Sequence, residues 1–156
     1  MNRESKTLLL IILSIGLIWS RSSFGKISSG NFVQGLGKIL VKTANNSPYQ
    51  EYKSFLENIA IPNSYLFGYL VMWGEFLVAC SLTFSTLYLL LKNSHPKWIV
   101  LALIAGLGGG IFLNINFWLA FSTGNSGTDN LNLLMILIQL IAAYDLLKLF
   151  SGLKNG

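Results

Sequence analysis

Three stretches of this chain are apolar for long enough to cross a lipid bilayer as helices, and that constrains the fold more than any other feature. A helical span of the hydrocarbon core takes about 20 consecutive apolar residues. Residues 64–91 meet this with only Glu75 as an interruption, residues 98–121 with only Asn114 and Asn116, and residues 131–150 with Gln139 inside and charges only near the end. A fourth stretch begins at residue 7 and is interrupted at Arg21; it reaches full length, about 7–27, by continuing through Arg21 and Phe24 towards Ile27. The alternative for that stretch is a cleaved signal peptide, with Arg3 and Lys6 as its basic start and Ser20 and Ser22 near a cut. Charged residues make up 11% of the chain, against about 25% in a typical soluble domain. So few charges cannot cover a water-facing surface, and lipid removes the need. The expected fold is all-α: a single membrane domain over 1–156, built as a four-helix bundle.

Between the first two spans lies a polar loop, residues 28–63, with helical patterning of its own. Phe32, Val33, Leu36, Ile39 and Leu40 recur at helical spacing, as do Tyr49, Tyr52, Phe55, Leu56 and Ile59. Both segments read as short amphipathic helices at the membrane interface. Ser47-Pro48-Tyr49-Gln50 has the form of a capping box with Pro48 at the first helical position. Pro62 stops the second helix, and Asn63 or Ser64 is placed to cap the next span.

Lys and Arg favour the cytoplasmic side. Arg3 and Lys6 precede the first span, Lys92 and Lys97 lie between the second and third, and Lys148 and Lys154 close the chain, while 122–130 carries no Lys or Arg. These segments place both termini in the cytoplasm. Lys38, Lys42 and Lys53 in the first loop pull the other way. The expected location is a cell membrane, crossed by all four spans. The net charge of +5 is therefore read as a topology signal. No basic stripe with interleaved aromatics points to nucleic acid. The single cysteine, Cys80, excludes an internal disulfide and a multi-cysteine metal or iron–sulfur site. His95, the only histidine, precedes Pro96 in a short loop and reads as a solvated turn residue. No metal is expected.

Charges within a span are costly and mark function by default. At about 1.5 Å per residue, Arg21 lies roughly 21 Å from the inner end of the first span and Glu75 roughly 15 Å from the outer end of the second. That leaves a depth difference of about 6 Å, which a long Arg side chain can bridge. Gly106, Gly110 and Asn114 form a small-residue ridge ending in an amide, and Asn132 and Gln139 share a stripe on the last span. The expectation is one polar pocket in the outer half, with Glu75 at its centre as a proton-handling carboxylate and Arg21 as its counter-charge. Asn114 and Gln139 would line it, and Trp73, Trp118 and Phe117 would wall a flat ligand such as a quinone. The competing reading is a structural polar knot that fixes helix register, with the tryptophans as interface anchors.

The run GLIWSRSSFGKISSGNF, the long loop after it and IPNSYLFGYLVMWGEFLVACSL resemble the DoxX/DoxD family of small four-helix membrane proteins. The similar elements are Arg21, Gly25-Lys26, Gly30-Asn31-Phe32, Gly74-Glu75 and the Asp129–Asn132 entry to the last span. The resemblance implies a membrane subunit of a quinone-linked sulfur or thiol redox system, of the thiosulfate:quinone oxidoreductase kind. Arg21, Lys26 and Asn132 would then take an anionic donor such as thiosulfate, and a redox partner subunit would be required, because Cys80 alone cannot run dithiol exchange. A homo-oligomer is compatible with this. The alternatives are a non-catalytic scaffold or assembly factor, or a small-solute carrier.

Overall fold

The computed structural model describes residues 3–92, 96–121 and 126–154. Among them every regular element is a helix: α1 (Arg3–Ser29), α2 (Phe32–Asn46), α3 (Gln50–Phe55) running into a π-helical turn (Leu56–Ala60), α4 (Ser64–Lys92), α5 (Lys97–Phe121) and α6 (Ser126–Lys154). Four of these are long and apolar enough to span a membrane, over Ser5–Ser29, Ser64–Lys92, Lys97–Ala120 and Gly127–Lys148. The protein is a multi-pass, all-α membrane bundle. α1 runs past Arg21 without a break. His95 lies outside the described residues, as does most of the connection after α5.

α1 packs on α4, α4 on α5 and α5 on α6, while α1 and α6 meet only lightly. The core is the stripe these faces share, with Ile12, Ile15, Trp19, Leu82, Leu103, Leu107, Met135 and Ala142 buried. Large side chains on the opposite faces, such as Leu17, Phe84, Phe112 and Ile141, are exposed, as expected where lipid is the solvent. Contact between helices here depends on small residues, because lipid gives apolar side chains no reason to leave it. A Cβ on Gly16 would come within 3.0 Å of the Thr83 amide, and one on Gly106 within 2.9 Å of the Ser81 hydroxyl. The ridge read from Gly106 to Asn114 is thus close-packed, Gly106 against α4 and Gly110 against Gln139 of α6.

Gly30 turns the chain from α1 into α2 with φ of 66°, a left-handed conformation that glycine adopts without a Cβ penalty. α2 then lies directly on α4, so close that a Cβ on Gly68 would sit 3.0 Å from the Val33 Cα. A small second core of Ala44, Leu56 and Ala60, flanked by Tyr52, Phe55 and Phe67, holds the loop helices together. The Tyr52 hydroxyl donates to the Asn116 carbonyl at 3.2 Å and ties this layer to α5; burial raises its pKa above the usual tyrosine value.

Two of the expected caps are made differently. Ser47 ends α2 in extended conformation, and its hydroxyl accepts from the Tyr49 amide at 3.4 Å. α3 therefore begins at Gln50, and Pro48 lies in the turn outside it. Asn63 donates its side-chain amide back to the Ile59 carbonyl at 2.8 Å, closing the π-helical turn and leaving only its main-chain carbonyl for α4.

Candidate functional site at the junction of α1, α2 and α4

Glu75 is completely buried. A carboxylate in that position needs a cation and further donors, or the charge is uncompensated. Both requirements are met from α1. Lys26 Nζ lies 2.8 Å from each carboxylate oxygen, and the Ser22 hydroxyl donates to Oε2 at 3.0 Å. Lys26 also donates to the Ser22 hydroxyl at 3.0 Å, so three side chains form a closed polar knot. Ser22 and Lys26 are four residues apart on one helical face, which is why a single helix delivers both. The Lys26 ammonium lies 5.3 Å from the centre of the Phe32 ring, a cation–π contact that pins it at the start of α2.

Lys26, and not Arg21, is thus the counter-charge of Glu75. Arg21 is exposed. It points along α1 towards Gly25, where a Cβ would lie 3.7 Å from one of its guanidinium nitrogens. The reason is helical phase. Leu9, Ile12, Ile15, Trp19 and Ser23 mark the buried stripe of α1, and Lys26 is its next member. Arg21 falls with Leu10, Leu17 and Phe24, all exposed.

The knot opens on one side. A cleft of about 800 Å³ lies between the end of α1 and α2, lined among others by Arg21, Lys26, Asn31, Phe32, Gln34 and Lys38. The Lys26 side chain keeps 22% of its surface exposed there, while Glu75 has none. Neither Arg21 nor Lys38 has a carboxylate within 4.0 Å among the described residues. The cleft therefore presents two uncompensated cations and a third shared with Glu75. In the sequence Lys38 counts only as a loop cation; its four-residue spacing from Gln34 is the one signal that the two share a helical face.

The remaining expected site residues are not brought to this cleft. Asn114 and Gln139 are buried and bonded to each other, Nδ2 to Oε1 at 3.3 Å, with Gly110 packed against the Gln139 amide. Asn132 is buried on α6, and its side-chain nitrogen has no partner among the described residues; it does not reach Lys26. Trp73 is half exposed on α4 against Phe76. Trp118 packs on Tyr49 of the loop layer, and Phe117 on Trp19. These residues face different directions. The Asn114–Gln139 pair is closed over by Gly110 and lies apart from the cationic cleft. No protein-family model, curated protein or solved structure matches this chain.

Proposed function

We propose that the protein is a membrane-embedded subunit that binds a small anion in the α1–α2 cleft and couples that binding to proton uptake at Glu75. The observation that carries this is the position of Lys26, bonded to both oxygens of a fully buried carboxylate and also exposed to a cleft holding two unpaired cations. An anion attracted by Arg21 and Lys38 competes for the same ammonium. When Lys26 turns to it, Glu75 is left buried with only the Ser22 hydroxyl, and a lone buried carboxylate is far costlier than a protonated one. One proton then enters with each anion: a monoanion leaves the net charge of the site unchanged, and a dianion such as thiosulfate adds one negative charge, which the unpaired Arg21 and Lys38 offset.

This fits the resemblance in part. A sulfur or thiol redox subunit needs a place for an anionic donor such as thiosulfate, and the cleft supplies the charge and room for it. The expected quinone-contacting side chains do not converge, so quinone chemistry in this reading belongs to a partner subunit. Termini in the cytoplasm would put the cleft on the outer side of the membrane, where such a donor arrives. A scaffold role has one observation in its favour: Glu75 is fully enclosed and fully bonded, as a register lock would be.

Titration calorimetry with thiosulfate on the purified protein, repeated in buffers of different ionisation enthalpy, separates the two. The expected result is binding with uptake of about one proton per anion in the wild type and about none in Glu75→Gln. Arg21→Gln and Lys38→Gln are expected to weaken binding about tenfold each without loss of stability. Thiosulfate binding without proton uptake overturns the coupling, and no binding at all leaves the register lock.

A further inference from the structure

Arg21 borders a second cavity as well as the cleft. A groove of about 480 Å³ runs between α1 and α4, lined by Ser20, Ser23, Phe24, Ala79, Cys80 and Thr83 among others. It is mostly apolar and lies on the lipid-facing side: Phe24 and Phe84, which form its walls, are 68% and 67% exposed. From Arg21 the groove leads down α4 towards Thr83 and Phe84, away from α2 and into the part of the bundle that lies at hydrocarbon depth. The Arg21 guanidinium bends the opposite way, towards Gly25 and the cationic cleft. A long Arg side chain that reaches for the polar end of its helix places charge at headgroup level.

The two cavities share one residue, and their chemistries are complementary halves of one ligand. We infer that an anionic phospholipid is a specific ligand of this protein. Its phosphodiester pairs with Arg21 at the edge of the cleft, and one acyl chain lies in the α1–α4 groove. Cationic pockets between membrane helices take anionic headgroups on electrostatic grounds, and an apolar groove directly below such a charge selects an amphiphile over a free anion. Among the described residues Arg21 is the only cation that borders the groove. With a lipid in place Lys26 and Lys38 still line the cleft for a soluble anion, and in lipid-free protein Arg21 serves that anion too. The inference thus rests on the cleft being an anion site and assigns its membrane-facing edge.

Native mass spectrometry of the detergent-solubilised protein, titrated with dioleoylphosphatidylglycerol or dioleoylphosphatidylcholine, tests this. The wild type is expected to retain the anionic lipid about tenfold more strongly, as one charge-assisted contact would give. Arg21→Gln is expected to erase that preference. Cys80→Trp, which fills the groove, and Phe24→Ala, which removes an exposed wall, are expected to weaken retention of the anionic lipid while leaving thiosulfate binding unchanged. Equal retention of the two lipids by the wild type, or a preference that survives both Arg21→Gln and Cys80→Trp, overturns the inference. Thiosulfate binding without lipid preference removes the lipid and keeps the anion site. Lipid preference without thiosulfate binding keeps the lipid and removes the soluble donor. Absence of both removes both.

Discussion

The bundle buries polar side chains at two seams, and they are built in opposite ways. At α1–α4, a charged knot of Glu75, Lys26 and Ser22 opens onto a cationic cleft. At α5–α6, a neutral amide pair, Asn114 and Gln139, is closed over by Gly110. Both are buried hydrogen-bonded groups in an apolar setting, so burial alone does not separate function from packing. Access does. A closed amide pair can only hold two helices in register, whereas a shared ammonium with one exposed edge can change partners. Charge sharpens the contrast, since losing one amide leaves a dipole unpaired and losing Lys26 leaves a full charge.

That contrast sets an order of effects, read as chemical or thermal unfolding of the purified protein. Lys26→Met strands the Glu75 carboxylate and is expected to cost about 3–5 kcal/mol. If the loss is under 1 kcal/mol, the ion pair does not exist in the membrane protein. Next comes the α5–α6 seam. Gly110→Ala places a methyl 2.8 Å from the Gln139 side-chain nitrogen and is expected to cost about 1–3 kcal/mol, while Gly108→Ala, with open space around it, is silent. Equal effects at the two glycines would dissolve the seam. Replacing both amides, Asn114→Leu with Gln139→Met, is expected to cost only about 0.5–1.5 kcal/mol, because no orphaned partner remains. A larger loss would move this pair into the same class as the charged knot. The smallest effect belongs to the exposed Lys53–Glu57 pair at 3.9 Å, where Glu57→Gln is expected to change stability by less than about 0.5 kcal/mol.

The spans were legible because a long apolar run admits one explanation in lipid. Glu75 stood out for the same reason, as the one charge between residues 64 and 91. Helical period puts Glu75 on one face with Gly68, Val71, Ala79 and Leu82; the structure buries Glu75 with Gly68, Ala79 and Leu82 and leaves Val71 half-buried. Its partner was misread because depth was weighed before phase. Arg21 lies at the right height on the wrong side of α1, while Lys26, near the helix end, reads as an ordinary terminal cation. Continuing the spacing Ile12, Ile15, Trp19, Ser22 or Ser23 by one more turn arrives at Lys26. The cleft was less legible. It exists because Gly30 folds α2 back and Gly68 lets it settle onto α4, and neither glycine announces which cations that motion brings together. The aromatics were not decidable by residue type, since Trp73 and Trp118 fit a ligand wall or an interface anchor equally well; Trp73 is exposed on α4, whereas Trp118 is half-buried against Tyr49.

The central claim is that Glu75 is neutralised by Lys26. A pair of double-mutant cycles tests it most directly, one combining Glu75→Gln with Lys26→Met and the other combining it with Arg21→Met, each read as unfolding free energy. A coupling of roughly 2–3 kcal/mol for Lys26, and one within about 0.5 kcal/mol of zero for Arg21, is the predicted result. Strong coupling to Arg21 with none to Lys26 would contradict the account.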